Sequence, residues 1–340
     1  MGKRMTSLLL LSLGIACGTT TRDGFVDNID AAAPDDGADA SSFAGDSGAS
    51  SDAAPAPTTT TVYANTDDSL FSLDPATKKI ALIGKFVGLG TDDNSVTDCA
   101  VDANGVVYVN TATIVYRATL PAGGTGSVSL AKVATIAAKS GQRFYALAFA
   151  PAGVLGPTET LVGGDGNGEL WSIDTTTGAT RDLGAFGPDQ SKVLALSGDI
   201  VFFTDAAGKP TGLATIRSCN AGGTNCVATN DYLAAIDMTA LSGAYNSGTP
   251  ATSLLEGIYG GSGGAKGKGV GFGGLFGLGA WQGSVFAFQR ASGGKPPAIL
   301  EVDAKSGSGT IIDATSGFTN GWSGAGVTTT VTVTVGRPPN

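Results

Sequence analysis

The stretch Leu170-Trp-Ser-Ile-Asp-Thr-Thr-Thr-Gly178 decides the fold. It reads as a strand ending in a tight polar turn, and it comes back four more times. The other copies are Leu70-Phe-Ser-Leu-Asp-Pro-Ala-Thr77, the looser Ile114-Val-Tyr-Arg-Ala-Thr119, Leu233-Ala-Ala-Ile-Asp-Met-Thr239 and Ile299-Leu-Glu-Val-Asp-Ala-Lys-Ser-Gly307. A strand-and-turn unit that recurs in this way signals an architecture of repeated small sheets.

Working outward, each copy gains neighbours. Ahead of it lies a strand pair: in Cys99-Ala-Val-Asp-Ala-Asn-Gly-Val-Val-Tyr108, the dipeptide Asn104-Gly105 is a hairpin turn signal. Leu147–Ala150, Val193–Leu196 and Leu278–Trp281 are the comparable innermost strands. Behind each copy comes an outer strand, as in Ile80–Gly84, Thr180–Gly184 and Ser253–Gly257. Four strands per unit is the size of a propeller blade. No stretch carries a convincing capped helical period, so the fold class is all-β. It is a single β-propeller over 60–336, with five blades of four strands and six as the alternative.

Spacing supports this. Cys99 to Leu147 is 48 residues and Leu147 to Leu194 is 47, whereas Leu194 to Leu278 is 84, which places an insertion in the fourth unit. The first unit lacks an innermost strand of its own. The tail Gly326-Val-Thr-Thr-Thr-Val-Thr-Val-Thr-Val335 is expected to supply it by pairing with Thr61–Asn65, closing the ring and removing two exposed edges.

The turn phrase resembles the Asp-Pro-Ala-Thr-Gly hairpin of quinoprotein-like and lactonase-like propeller repeats, a resemblance that speaks for architecture. Asp74, Asp174, Asp237 and Asp303 recur in it, but an Asp ahead of Thr, Ser, Pro or Gly favours a side-chain-to-backbone turn. Turns spread around a ring do not converge on one substrate.

The N-terminus indicates location. Lys3 and Arg4 precede an apolar run, Met5–Ala16, too short to span a bilayer, so residues 1–16 read as a secretory signal. Gly14-Ile15-Ala16-Cys17 resembles the lipobox of bacterial lipoproteins. That resemblance implies a lipid-modified Cys17, carrying palmitate-type chains, as the first residue of the mature protein; plain secretion is the alternative. Gly18 is similar to the residue found there in lipoproteins sent to the outer membrane of the cell envelope. Residues 17–59 are an Asp/Ala/Ser-rich tether too poor in apolar surface to offset its ordering entropy. Removing Lys3 and Arg4 takes the net charge from −9 to −11. Eight Asp against Arg22 give the tether −7 and leave the folded part −4, so no basic face for nucleic acid is expected.

The chemistry is constrained by what is missing. The chain has no His, which removes His-assisted nucleophiles and His-ligated metals. The inner strands are nearly all apolar, with Asp98 the single carboxylate beside one, so no catalytic residues are assigned and the protein is expected not to be an enzyme. Cys99 reads as an inert buried thiol, and Cys219 and Cys226 as a disulfide in an exported protein. Gly269-Val-Gly-Phe-Gly-Gly274 satisfies G-x-G-x-x-G but lies between β segments without a receiving helix. Two acidic runs, Asp92/Asp93/Asp98 and Asp165/Asn167/Glu169, are candidate calcium sites. Neither supplies the EF-hand pattern, and solvated turns are the expectation.

In a propeller, the loops between second and third strands share a face with those joining successive blades. Gly208–Asn230, Gly260–Gly274 and Arg290–Pro297 are therefore expected to decorate one face, presenting Arg217, Lys266, Lys268, Arg290 and Lys295. Variable loops on a rigid scaffold carry recognition. The expected function is a lipid-anchored, non-catalytic binding or protein-interaction module for an envelope protein or glycan. The alternative is an exported hydrolase or lactonase-like enzyme with a central metal.

Overall fold

The computed structural model describes residues 61–330, without 92, 140, 190–191, 206, 221–225, 227–229, 260–265, 268–269, 292–295, 305 and 315–320, and the pair 332–333. The signal, the tether, Cys17, Asp92, Lys268 and Lys295 lie outside the described residues.

Strands β1 (Val62–Asn65), β2 (Ser69–Asp74) and β3 (Lys79–Val87) belong to the first unit. The second holds β4 (Asp98–Val101), β5 (Val107–Asn110), β6 (Ile114–Thr119) and β7 (Gly126–Thr135). The third holds β8 (Phe144–Ala150), β9 (Thr160–Asp165), β10 (Glu169–Ile173) and β11 (Thr180–Ala185). In the fourth, a short β12 (Pro188–Asp189) pairs with β13 (Lys192–Asp205), followed by β14 (Pro210–Cys219), β15 (Tyr232–Ile236), helix α1 (Met238–Ser247) and β16 (Leu255–Ile258). A hairpin of β17 (Lys266–Gly267) and β18 (Val270–Gly271) leads to the fifth unit, β19 (Leu275–Trp281), β20 (Ser284–Gln289), β21 (Ala298–Asp303) and β22 (Ser308–Asp313). β23 (Gly324–Gly326) then returns to β1, and β24 (Thr332–Val333) runs beside β13. Among the described residues this makes five antiparallel groups of four strands, a β-propeller.

The period of two explains how the ring packs. Successive side chains of each inner strand enter different cores, one on either side of their sheet. Leu70 packs with Val101 and Val109 between the first and second units, and Ala100 with Leu147 and Trp171 between second and third. Ala146 packs with Ile200 and Phe202 between third and fourth. Phe71, Val201 and Phe286 join the fourth, fifth and first. The chain of cores therefore comes back to its start. Trp322 wedges that last seam, its ring edge-on to Phe71 at 5.1 Å and Phe288 at 5.4 Å.

Ring closure holds, through a different segment from the one expected. Gly324–Gly326 pairs with Tyr63–Asn65, so only Gly326 of the Gly326–Val335 run takes part. The run continues to a bridge between Thr328 and Val101 and to a parallel pairing of Thr332–Val333 with Thr204–Asp205. The reason is crowding at the axis. A Cβ on Gly324 would lie 2.0 Å from an Asp98 carboxyl oxygen, and one on Gly326 would lie 2.5 Å from the Cys99 carbonyl oxygen. The Thr/Val run has the better strand propensity but cannot fit there.

Helix α1 is a second departure, and it comes from the repeat phrase itself. In three copies the residue four places after Asp donates back to the Asp carbonyl and takes a left-handed conformation: Lys78 (φ 59°), Gly178 (φ 74°) and Gly307 (φ 65°). The turn stops there. In the fourth copy the same bond forms from Leu241 to Asp237, but Leu resists positive φ and the helix runs on to Gly248 (φ 73°). The Asp237 carboxylate that accepts from Thr239 N and Ala240 N is thus an N-cap, doing what Asp174 does for Thr176 N and Thr177 N in the turns.

The outer edges meet cover. β3 pairs in parallel with β7, and Gly184 of β11 bridges Ala251. Bare glycines permit both approaches: a Cβ on Gly84 would sit 1.5 Å from the Gly126 carbonyl oxygen, and one on Gly184 would sit 2.3 Å from that of Ala251. Lys78 and Glu301 pair across the seam between the first and fifth units, and that ammonium, with burial opposing it, holds the Glu301 carboxyl below its ordinary range.

Candidate functional site

The turns between second and third strands define the upper face, and all five border one cavity. Asp67, Ala112, Gly166, Cys226 and Arg290, from the first to the fifth unit in order, line about 520 Å³ around the axis. The connection from first to second unit adds Asp93 and Thr97, and the wall also holds Tyr145, Arg143, Arg217 and Phe276. A volume of this order suits a small organic ligand.

Its two carboxylates are occupied. Asp67 receives both terminal nitrogens of Arg290 at 3.1 Å, a fork-on-fork pair, and also the Ser323 hydroxyl. Asp93 accepts from the Thr111 and Thr113 hydroxyls at 2.6 Å each and from Thr113 N at 3.0 Å. Burial works against the Asp93 charge, yet these bonds hold its carboxyl below the usual range.

The other two arginines differ. Arg217 gives one terminal nitrogen to the Ser197 carbonyl (2.6 Å) and hydroxyl (2.8 Å), while its Nε is buried with no hydrogen-bond partner. Behind it stands Asp231, fully buried, which takes Leu275 N at 2.7 Å; burial pushes this carboxyl up to about 6, with Ser197 and Arg217 pulling it back. Arg143 is exposed at the rim, as is Tyr145, which is 43% exposed. Among the described residues neither Arg143 nor Arg217 enters an ion pair.

On the inner strands beneath this face sits a second polar group. Asp98 on β4 accepts from Cys99 N and from Leu147 N of β8. Asp199 on β13 accepts from Ile200 N, from Leu278 N of β19 and from Ala325 N of β23. The two carboxyls also hydrogen-bond to each other, which requires a shared proton. One pair thereby staples the innermost strands of all five units. Burial, then the charge and hydrogen bond of Asp199, lifts Asp98 well above the ordinary carboxylate range, and burial lifts Asp199 to about 8. Between Ala100, Leu147, Val201 and Val327 there is only about 10 Å³ of space.

Asp98 is therefore not the single carboxylate beside an inner strand. β13 continues through Asp199 by a bulge between Leu196 and Ile200, where the sequence Ser197-Gly198-Asp199 reads as a turn. The same continuation corrects the insertion. Gly208–Asn230 is not one loop, because Pro210–Cys219 is β14, and Arg217 stands on a strand. The connection from β14 to β15 carries the Cys219–Cys226 disulfide, as expected. Arg290 reaches the cavity, whereas Lys266 lies in the β17–β18 hairpin beside β22. Cys99 is a fully buried thiol whose pKa burial pushes up, as an inert cysteine requires.

Of the calcium candidates, Asp93 and Asp98 serve separate sets of donors, described above. Asp165 closes a turn, Oδ1 accepting from Asn167 N (2.9 Å) and Glu169 N (3.1 Å) and Oδ2 from Gln142 at 3.2 Å. Burial followed by the Asp165 and Asp182 charges raises Glu169. Reading the sequence selected none of Asp67, Arg143, Tyr145, Asp199, Asp231 and Phe276.

No protein-family model matches the chain, and no curated protein matches it. Similar solved structures include a protein of unknown function from Bacteroides caccae, at 11% identity over 79% of this chain and 98% of that one, TM-score 0.39. The Dos1 propeller is 12% identical over 71% and 53%, TM-score 0.34. The Neurospora crassa Pan2 WD40 domain is 13% identical over 74% and 61%, TM-score 0.37.

Proposed function

We propose that this is a lipid-anchored cell-envelope β-propeller that works as a non-catalytic binding module through its upper face. One observation carries the reading: the five second-to-third-strand turns, which a propeller can vary without disturbing its sheets, all border a single cavity. The carboxylates within that wall are held by neighbours, and the axial carboxyl pair is fully buried and bonded to the backbone of every inner strand, which suits support more than acid–base chemistry. Cys17 supplies the anchor in this reading, and several acyl chains at about 0.8 kcal/mol per buried methylene would make it permanent.

The test is co-sedimentation of the lipid-free mature chain with isolated envelopes, beside Gly166→Trp, which fills the cavity from the third unit's turn. Retention of the parent and loss of the variant are expected; equal behaviour of the two would overturn the cavity's role. Metabolic labelling with an alkyne palmitate analogue, lost in Cys17→Ser, checks the anchor.

A further inference from the structure

Resting on the binding-module reading, we propose that the upper cavity is a receptor for a small, ring-bearing organic anion, its carboxylate or phosphate held by Arg217 and Arg143. The cations around the cavity are not equivalent. Arg290 is satisfied by Asp67, which also ties the first unit to the fifth. Arg217 and Arg143 come from the fourth and third units and are the cations of the wall that enter no ion pair among the described residues. Arg217 is half-buried on the cavity wall and spends one terminal nitrogen on Ser197; its Nε is enclosed by protein and takes no part in the receptor. The buried Asp231 offsets part of its charge.

A guanidinium presents donors in a planar fork that fits a carboxylate or phosphate edge on. The rest of the wall fits a flat body. Tyr145 offers an exposed aromatic residue on the third unit, and the half-buried Phe276, with the Arg290 guanidinium 5.6 Å from its ring centroid, adds a second on the fifth.

Calorimetric titration of the full mature chain tests this. The probes are 4-hydroxybenzoate, glucuronate and phenyl phosphate, each against an uncharged counterpart: 4-hydroxybenzamide, glucose and phenol. At least one anion is expected to bind at least tenfold more tightly than its counterpart, with affinity falling as sodium chloride is raised. Carboxylate and phosphate probes separate the two head groups. Arg143→Gln, at an exposed side chain that supports no other residue, should weaken that anion at least fivefold. Arg217→Lys, which keeps the charge but loses the fork, should weaken it further. Anions that bind no better than their neutral counterparts, or affinity untouched by both substitutions, would overturn the proposal. If the neutral probes bind equally and Gly166→Trp still abolishes binding, the anion receptor fails while the binding module survives. If no probe binds but envelopes still retain the parent chain and release Gly166→Trp, the same conclusion follows.

Discussion

The axial pair and the upper cavity hold the same kinds of groups in opposite condition. At the axis, Asp98 and Asp199 are sealed from water, share a proton and take backbone N–H groups from every inner strand. At the cavity, Arg217 and Arg143 stand on the wall outside any ion pair among the described residues. A polar group whose every partner lies within the fold holds the fold together, and one whose partners are missing points to something outside it. Charge and burial alone do not separate the two cases; the inventory of partners does.

That contrast can be broken most forcefully at the axis. Asp199→Ala would strand the N–H groups of Ile200, Leu278 and Ala325, and at about 1–3 kcal/mol for each orphaned donor should cost about 4 kcal/mol in urea denaturation. The pair also sets a pH dependence. Asp199 is lifted to about 8 in the folded chain, against an ordinary 3.8, and Asp98 is raised too, so between those limits the folded state binds the extra proton. Stability is therefore greatest near pH 4 and declines as pH climbs toward 8, by up to about 1.4 kcal/mol per pH unit for each proton the pair holds. Asp199→Asn should flatten that slope; an unchanged slope would mean the proton is held elsewhere.

Gly324→Val comes next. Its Cβ would meet an Asp98 carboxyl oxygen at 2.0 Å, and forcing the strand away should cost about 3 kcal/mol, read by thermal and urea unfolding. Removing the Cys219–Cys226 disulfide, which closes a separation of seven residues, should cost about 2–3 kcal/mol on the chain-entropy account. Arg143→Gln should leave stability within about 0.5 kcal/mol, since its side chain is exposed and enters no ion pair among the described residues. A larger loss there would place Arg143 with the structural groups and erase the contrast.

The sheets were legible because the Asp turn repeats and because alternating apolar residues must fill cores on both sides of each blade. The closing strand was not, since Gly324-Ala-Gly326 has poor strand propensity and wins its place by small size beside Asp98. Helix α1 hid behind the same Asp that opens the turns; the informative residue was Leu241, where the other copies carry Lys78, Gly178 and Gly307. Asp199 was recoverable. Asp98-Cys-Ala-Val101 and Asp199-Ile-Val-Phe202 are the same pattern, a carboxylate opening an apolar inner strand, and comparing them would have paired the two. Arg143 and Tyr145 carried no signal, because only the three-dimensional ring brings the start of β8 to the cavity.

The outer strands have one more consequence. β3 and β7 satisfy each other, β11 meets Ala251, and β22 has the β17–β18 hairpin at its side. A peptide seeking to extend a sheet by strand addition finds the β3 and β7 edges already paired with each other. On the proposed binding reading, recognition falls to side chains at the mouth of the ring rather than to main-chain zippering along β3 and β7.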